Sequence, residues 1–246
     1  MQFYFIRHAQ SQNNALWDAT GSDAARLEDP ELTLIGQQQA QYVAEFMRIG
    51  QTKAVTNTHK HKHDPQNVYG LELTHLYCSL MTRAAQTATA IGNAINLHPV
   101  AWPDVHEHGG IYLANAAGER MGLPGKPRSY FRQNFPHLQL PNDLDEQGWW
   151  QNRPFEDWDV CNQRAERFVN ELQARHGNSN DRVGVVSHGA FYGSVMRYIL
   201  KMPPYDDHPS WFTLNNVAIT RVDFNPKEIL VVYMNRCHFL PNEIVT

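Results

Sequence analysis

Short apolar runs alternate with segments of helical periodicity along this chain, and that alternation limits the fold more than any other feature. Residues 3–6 form an aromatic and β-branched run that is typical of a buried strand. Apolar side chains then recur every three or four positions over 36–49, which predicts a helix that ends there. Two further strands are predicted at 76–79 and 98–102, with a helix over 82–95 between them.

The second half of the chain continues the same order. Helical spacing over 156–176 precedes an apolar run at 183–186, and another helix follows through Val195. Alternation at 217–224 and the run at 229–233 indicate an edge hairpin. Strands that alternate with helices predict a mostly parallel central sheet covered on both faces, an α/β fold of three layers (α/β/α sandwich) with an antiparallel edge.

The whole chain, residues 1–246, is expected to form one domain with two insertions. Residues from about 51 to 73 carry little periodicity and are predicted to be an exposed insertion. Residues from about 110 to 154 are rich in Gly, Pro and aromatic side chains, which is typical of an irregular cap. The cations of this cap, which stand among aromatic residues, either select an anionic or ring-bearing substrate or are solvated charges over a small local core. They are Arg120, Lys126, Arg128, Arg132 and Arg153.

Charge and cysteine content exclude several classes of protein. The chain has 21 Lys and Arg and 25 Asp and Glu, a formal charge of -4. This charge gives no overall electrostatic attraction to nucleic acid or to acidic lipid. Three widely spaced cysteines are neither a disulfide framework nor a zinc-thiolate pattern. The first apolar run is too short for a signal peptide or a membrane span. We expect a cytoplasmic protein with no nucleic-acid or membrane partner, and the sequence does not indicate its oligomeric state.

Cationic and imidazole side chains are predicted at the carboxyl edge of the sheet, where ligands of such sheets bind. Arg7 and His8 follow the first strand, and His188 follows the run at 183–186. Arg83 lies in the first turn of a helix, and the planar guanidinium group matches two phosphate oxygens at once. Such groups repel one another at a single edge unless an anion binds between them. The pattern therefore predicts an anion site.

Four segments carry these residues. They are Arg7-His8-Ala9-Gln10-Ser11-Gln12-Asn13-Asn14, Leu32-Thr33-Leu34-Ile35-Gly36-Gln37-Gln38-Gln39-Ala40, Ser79-Leu80-Met81-Thr82-Arg83-Ala84-Ala85-Gln86-Thr87-Ala88 and Ser187-His188-Gly189. Together they resemble, in order, the motifs of the histidine phosphatases, often called phosphoglycerate mutase-like proteins, and imply the fold of that family. Ala9 stands where the family has glycine, so a positive φ at this position would be strained.

The resemblance implies hydrolysis of a small phosphorylated substrate through a phosphohistidine on His8, without a metal or other cofactor. A neutral imidazole is a competent nucleophile, and a covalent intermediate divides one difficult displacement into two easier ones. Cationic groups around the phosphoryl oxygens would stabilise the transition state. The expected phosphate ligands are Arg7, Asn14, Arg83, His188 and Gly189. Of these, Arg7, Arg83 and His188 are also expected to be catalytic.

The family takes the proton for the leaving group from an acid after the third strand. Glu107 is the expected residue, with Asp104 and the two histidines that flank Glu107 as competitors. Mutases of the family continue with Arg-His-Tyr-Gly, which holds a phosphoglycerate carboxylate, whereas His-Gly-Gly follows here. Hydrolysis is therefore favoured over mutase-type phosphoryl transfer. A catalytically silent phosphate-binding relative is the third hypothesis.

Histidines also cluster in two places that suggest metal ligands. His59, His61 and His63 alternate before Asp64 in the predicted exposed insertion. The histidines of 106–108 lack the helical spacing of a zinc hydrolase. We interpret the first group as solvated side chains and predict no metal in the reaction.

Overall fold

The structure is a computed structural model that describes residues 1–55, 66–151, 153–202 and 212–246, without the side chains of 51–55. A six-stranded sheet in the order β3-β2-β6-β1-β7-β8 organises the fold. Its strands are β1 (Gln2–Arg7), β2 (His75–Cys78), β3 (Val100–Ala101), β6 (Arg182–Ser187), β7 (Ile219–Phe224) and β8 (Ile229–Arg236). The first four are parallel, and β7 and β8 form an antiparallel edge, as the sequence predicts.

Helices connect the strands and cover the sheet. They are α1 (Gln12–Thr20), α2 (Leu34–Val55), α3 (Thr82–Ile95), α4 (Arg128–Asn134), α5 (Trp158–His176) and α6 (Gly189–Ile199). None of the helices in the described part of the chain has the length and apolar character needed to cross a bilayer. Thr33 begins α2, because its hydroxyl oxygen accepts the amide hydrogen of Gly36 at 3.0 Å.

Strand β1 shows how the sheet separates two hydrophobic layers. Successive side chains of a strand point to opposite faces. Tyr4 and Ile6 pack into a cluster with side chains of α2 and α3, whereas Phe3 and Phe5 pack into a second cluster with side chains of α5 and α6. All four side chains have no solvent exposure. The predicted three-layer α/β/α fold is therefore confirmed.

The region around the first predicted insertion differs from the expectation. Helix α2 runs on to Val55, beyond the predicted end at residue 49. An ideal Cβ on Gly50 would lie 2.5 Å from the carbonyl oxygen of Leu71, so glycine here permits close packing inside the helix and does not end it. Leu71 and Leu73 are buried, so the prediction of an exposed segment is wrong for them. His59, His61, His63 and Asp64 lie outside the described residues.

Four of the helices and strands in the described chain were not predicted, and all lie in polar or irregular stretches. Helix α1 follows the first strand, and its signal was present: Ser11 and Asn14 form a capping box. In the cap, β4 (Tyr112–Ala114) pairs with β5 (Arg120–Gly122), and α4 follows. The cap is held to the rest of the fold by buried aromatic side chains that include Phe131, Trp149 and Trp150.

We predict that Gly36→Ala destabilises the protein by about 1–3 kcal/mol, because the added methyl group would overpack the loop after His8. An ideal Cβ at this position would lie 2.0 Å from the carbonyl oxygen of Gln10. Urea-induced unfolding measures the effect. Gln38→Ala, an exposed change on the same helix, serves as the control and should stay within about 0.5 kcal/mol. Equal stability of both variants would contradict the packing argument.

Candidate active site

The pairing of β1 with β6 brings the two predicted histidines together. The strands are parallel neighbours in a register that places Arg7 opposite Ser187. The amide of His8 continues the ladder by donating to the carbonyl of Ser187 at 2.9 Å. His8 and His188 therefore leave the sheet side by side, with ring centroids 5.0 Å apart.

The hydrogen bonds of His8 define its tautomer. Nδ1 lies 2.7 Å from the carbonyl oxygen of Ala9, which can only accept, so Nδ1 carries the proton. Nε2 then carries a lone pair, which accepts a hydrogen bond from Nε of Arg83 at 3.1 Å. Burial, and then the charges of Arg83 and Arg7, lower the pKa of His8 well below its ordinary value. The uncharged form of the ring is therefore favoured, with a lone pair on Nε2.

His188 is fully buried at the first turn of α6, and neither ring nitrogen has a hydrogen-bond partner among the described residues. Burial is also the main cause of its lowered pKa, followed by the charge of Arg83. Nε of Arg7 is likewise buried without a partner, while another nitrogen of its guanidinium donates to the carbonyl of Leu214. Gly189 lies against Arg7, because an ideal Cβ on it would be 3.6 Å from that Nε. Buried nitrogens without a hydrogen-bond partner in the described chain thus belong to two of the side chains predicted to bind the anion.

Asp29 positions Arg83, and sequence reasoning missed it. Its carboxylate accepts from the amide of Thr82 at 3.0 Å and from the Thr82 hydroxyl at 2.7 Å, so it caps α3. One oxygen also lies 4.0 Å from a terminal nitrogen of Arg83. Burial raises the pKa of Asp29 and lowers that of Arg83. The residue comes from an irregular loop that carries no pattern by which it could have been found.

The side chain of Glu107 contacts the first turn of α6, the helix that begins directly after His188. Its Oε1 accepts from the amides of His108 and Phe191, both at 2.9 Å. Its Oε2 accepts from the amide of Ala190 at 3.2 Å. The amides of Ala190 and Phe191 belong to the first turn of α6, where backbone N–H groups have no partner within the helix. The structure therefore brings Glu107 to the same edge as both histidines.

A buried ion pair holds the segment that carries Glu107, and the sequence analysis did not identify it. Arg164 contacts both carboxylate oxygens of Glu156, at 2.8 and 2.6 Å. Its remaining terminal nitrogen donates to the carbonyls of Asp104 and His106, at 2.7 and 3.0 Å. The guanidinium also lies over the ring of Phe191, 4.2 Å from its centroid. One side chain thus links the loop before Glu107 to the helix that receives its carboxylate.

The two histidines that competed for the acid role have other contacts. His108 stacks on Trp158 with centroids 3.8 Å apart. The ring of His106 is buried, with Nδ1 2.8 Å from the carbonyl of Glu107 and Nε2 3.9 Å from Glu156. Among these candidates, only for Glu107 does the structure give side-chain hydrogen bonds to the start of α6.

Asn216 ties Asn14 to the loop of His8. The Nδ2 atom of Asn216 donates to the carbonyl of His8 at 2.9 Å and lies 3.4 Å from Oδ1 of Asn14. The same oxygen of Asn14 also accepts from the amide of Ser11. The side chain has one donor, Nδ2, and this atom would make the predicted contact with phosphate. Ala9 does not have a positive φ, so its replacement of glycine introduces no left-handed strain. Its amide donates to the Thr87 hydroxyl at 3.1 Å.

Most cations of the cap are held by the cap itself. Arg128 donates to the carbonyls of Pro141 and Leu144, at 2.8 and 2.9 Å. Three others lie over aromatic rings: Arg120 over Phe155 at 4.7 Å, Lys126 over Tyr130 at 5.2 Å and Arg153 over Trp150 at 5.1 Å. These contacts account for four of the five cap cations without a substrate. A role in substrate selection stays a prediction.

This is an α/β protein that brings two buried histidines and two guanidinium groups together at the carboxyl edge of its sheet. The sequence model of the histidine phosphatase superfamily (branch 1) matches residues 65–236, more than half of the chain. The chain therefore belongs to the histidine phosphatase superfamily. A comparison with curated proteins found no match.

Solved structures of phosphatases share the fold over nearly the whole chain. Phosphoserine phosphatase from Entamoeba histolytica, in complex with phosphoserine, is 20% identical with a TM-score of 0.57, covering 98% of this chain and 99% of that one. The α-ribazole phosphatase from Shigella flexneri is 19% identical with a TM-score of 0.58 and 96% coverage of both chains. A mycobacterial glucosyl-3-phosphoglycerate phosphatase is 17% identical with a TM-score of 0.53 and 90% coverage of both. At these identities the likeness shows the fold.

We predict that the protein loses stability between about pH 7 and pH 5.5, by about 1 kcal/mol for each of three buried histidines. Burial holds the pKa of His8, His106 and His188 well below 6.5 in the folded state. The unfolded chain therefore binds more protons over this window, so the free energy of unfolding falls as the pH falls. Urea unfolding at both pH values measures it. The exposed change His98→Ala should leave the difference unaltered, and a pH-independent free energy would contradict the prediction.

Proposed function

We propose that the protein hydrolyses phosphomonoesters through a phosphohistidine on His8, without a metal. The observation that carries this proposal is the pair of buried rings, His8 and His188, 5.0 Å apart and accompanied by Arg83 at hydrogen-bond distance from Nε2 of His8. A neutral imidazole with its lone pair beside guanidinium groups suits attack on a phosphate dianion.

In the first step, Nε2 of His8 attacks phosphorus and the bond to the ester oxygen breaks. The hydrogen bond from Nδ1 of His8 to the carbonyl oxygen of Ala9 orients the ring, so that Nε2 points away from that carbonyl. Arg83 now donates to Nε2 and would transfer this hydrogen bond to a phosphoryl oxygen when the substrate enters. Arg7, His188, the amide of Gly189 and Nδ2 of Asn14 would complete the set of ligands.

Glu107 supplies the proton to the departing alkoxide, because a phosphate dianion bound beside its carboxyl group favours the protonated form. We assign the transferable proton to Oε2, because its single contact of 3.2 Å is the longest of the three backbone hydrogen bonds to this carboxyl group. Arg164 keeps the loop of Glu107 in place through the carbonyls of Asp104 and His106. In the second step the Glu107 carboxylate takes a proton from water, which attacks the phosphohistidine and releases inorganic phosphate.

The substrate that we propose is a small phosphorylated metabolite. This rests on the structural neighbours, which include a phosphoserine phosphatase in complex with phosphoserine or with 3-phosphoglyceric acid and an α-ribazole phosphatase. We place the reaction in the cytoplasm, because Cys78 and Cys161 are buried free thiols that suit a reducing compartment. Hydrolysis is preferred to mutase-type transfer because His108 stacks on Trp158 where mutases present a carboxylate-binding arginine.

We predict that His8→Ala lowers turnover of p-nitrophenyl phosphate to below about one thousandth of the parent, since no other group replaces the nucleophile. Phosphate release from phosphoserine, 3-phosphoglycerate and nucleotide monoesters should be lost in parallel. Labelled parent enzyme should carry phosphate in an acid-labile, base-stable bond that the variant lacks. His98→Ala is the matched exposed control, and a variant at His8 that folds and keeps its activity would disprove the proposal.

We predict that Glu107→Gln slows hydrolysis of alkyl phosphates by about 100-fold or more, because the alkoxide then leaves without a proton. Esters with good leaving groups, such as p-nitrophenyl phosphate, need little protonation and should change only a few-fold. Steady-state kinetics on both ester types measures the ratio. Asp104→Asn tests the competing carboxyl group and should affect the two esters equally. Equal losses with Glu107→Gln would argue against its role as the acid.

A further inference from the structure

Two histidines and an aspartate meet at the end of the sheet opposite to His8. His75 is the first residue of β2, His176 is the last residue of α5, and Asp181 directly precedes β6. The parallel strand β6 has six residues and separates this group from His188 by roughly 20 Å of extended chain. The group is therefore distinct from the candidate active site.

The ligand atoms of these side chains are close to a metal-binding arrangement. One ring nitrogen of each histidine and one carboxylate oxygen all lie within 4.8 Å of one another. Oδ2 of Asp181 is 2.7 Å from Nδ1 of His176 and 3.9 Å from Nδ1 of His75. Bonds of about 2.0–2.1 Å in a tetrahedral zinc site place ligand atoms about 3.3 Å apart. The separations between the ligand atoms therefore differ from that spacing by about 1.5 Å or less.

The surroundings orient the group. The hydroxyl of Tyr77 lies 3.1 Å from Nε2 of His176, which leaves Nδ1 directed at Asp181, the arrangement that fixes metal-binding histidines elsewhere. Ser179 shapes the turn between them, since its hydroxyl donates to the carbonyl of His176 at 2.8 Å and accepts the amide of Asp181 at 3.0 Å. The side chains of His75 and Asp181 are 42% and 27% exposed, so an ion could enter and keep a water ligand.

We propose that His75, His176 and Asp181 bind a divalent transition-metal ion of the zinc type. Two imidazoles and one carboxylate are donors that zinc accepts, with water at the open position. The neighbouring cation Arg175 is already occupied by Glu171 and by the ring of Trp102, 4.0 Å away. The ion would join the end of α5 to the first residues of β2 and β6, and its effect would be on stability and not on the phosphoryl transfer.

The test uses a chain in which His59, His61 and His63 are replaced by alanine, so that the undescribed stretch cannot supply the ligands. We expect calorimetric titration with Zn²⁺ to show one ion per chain, Co²⁺ to give the absorption of a tetrahedral site, and the ion to raise the thermal unfolding temperature. His75→Ala and, separately, Asp181→Asn should weaken binding by at least about tenfold. Activity on p-nitrophenyl phosphate should not depend on one equivalent of Zn²⁺.

His98→Ala provides the matched control, because His98 forms an exposed histidine pair with His137, with centroids 5.0 Å apart, that belongs to no three-residue metal group in the described chain. It should leave the affinity unchanged. Metal-free unfolding temperatures identify any variant that fails to fold. No binding by the parent, or binding that neither His75→Ala nor Asp181→Asn weakens, would overturn the proposal.

Discussion

The parallel pairing of β1 with β6 is the constraint on which the candidate site depends. Because the strands run side by side in register, the residues that follow them emerge at one edge, and two histidines far apart in sequence come within 5.0 Å. The same pairing places the start of α6 beside Arg7, so that Gly189 packs against the guanidinium. A shift of one residue in this register would direct one of the two rings to the other side of the sheet.

Burial then gives these groups their chemistry. His8 and His188 are excluded from water beside Arg7 and Arg83, so the uncharged form of each ring is favoured and the positive charge remains on the guanidinium groups. Asp29 and Glu107 supply nearby negative charge from a loop and from the segment after β3. The nitrogens of His188 and Nε of Arg7 still lack partners among the described residues, a cost that a bound phosphate group would remove.

The two ends of the sheet present different chemistry. At the carboxyl end, backbone amides of α6 and guanidinium groups suit an anion, as the membership in the histidine phosphatase superfamily leads one to expect. At the amino end, two imidazoles and a carboxylate from α5, β2 and the turn before β6 meet, remote from the candidate active site. The parallel strands β2 and β6 connect the two groups of side chains, because each strand begins near the histidines and aspartate and ends near the candidate active site.

The sequence by itself determined the order along the chain of the six sheet strands and of α2, α3, α5 and α6, and the antiparallel edge. It also placed Arg7, His8, Arg83 and His188 at one edge of the sheet, because apolar periodicity and local motifs are properties of short segments. Tertiary structure alone decided which residues support them. Asp29 reaches Arg83 across 54 positions, Asn216 reaches His8 across 208, and Arg164 holds the loop of Glu107 from a helix about 60 residues away. Such contacts arise only when the layers pack against the sheet, so the spacing of residues along the sequence does not predict them. The tautomer of His8 and the low pKa of both rings are likewise consequences of burial, which no short segment determines.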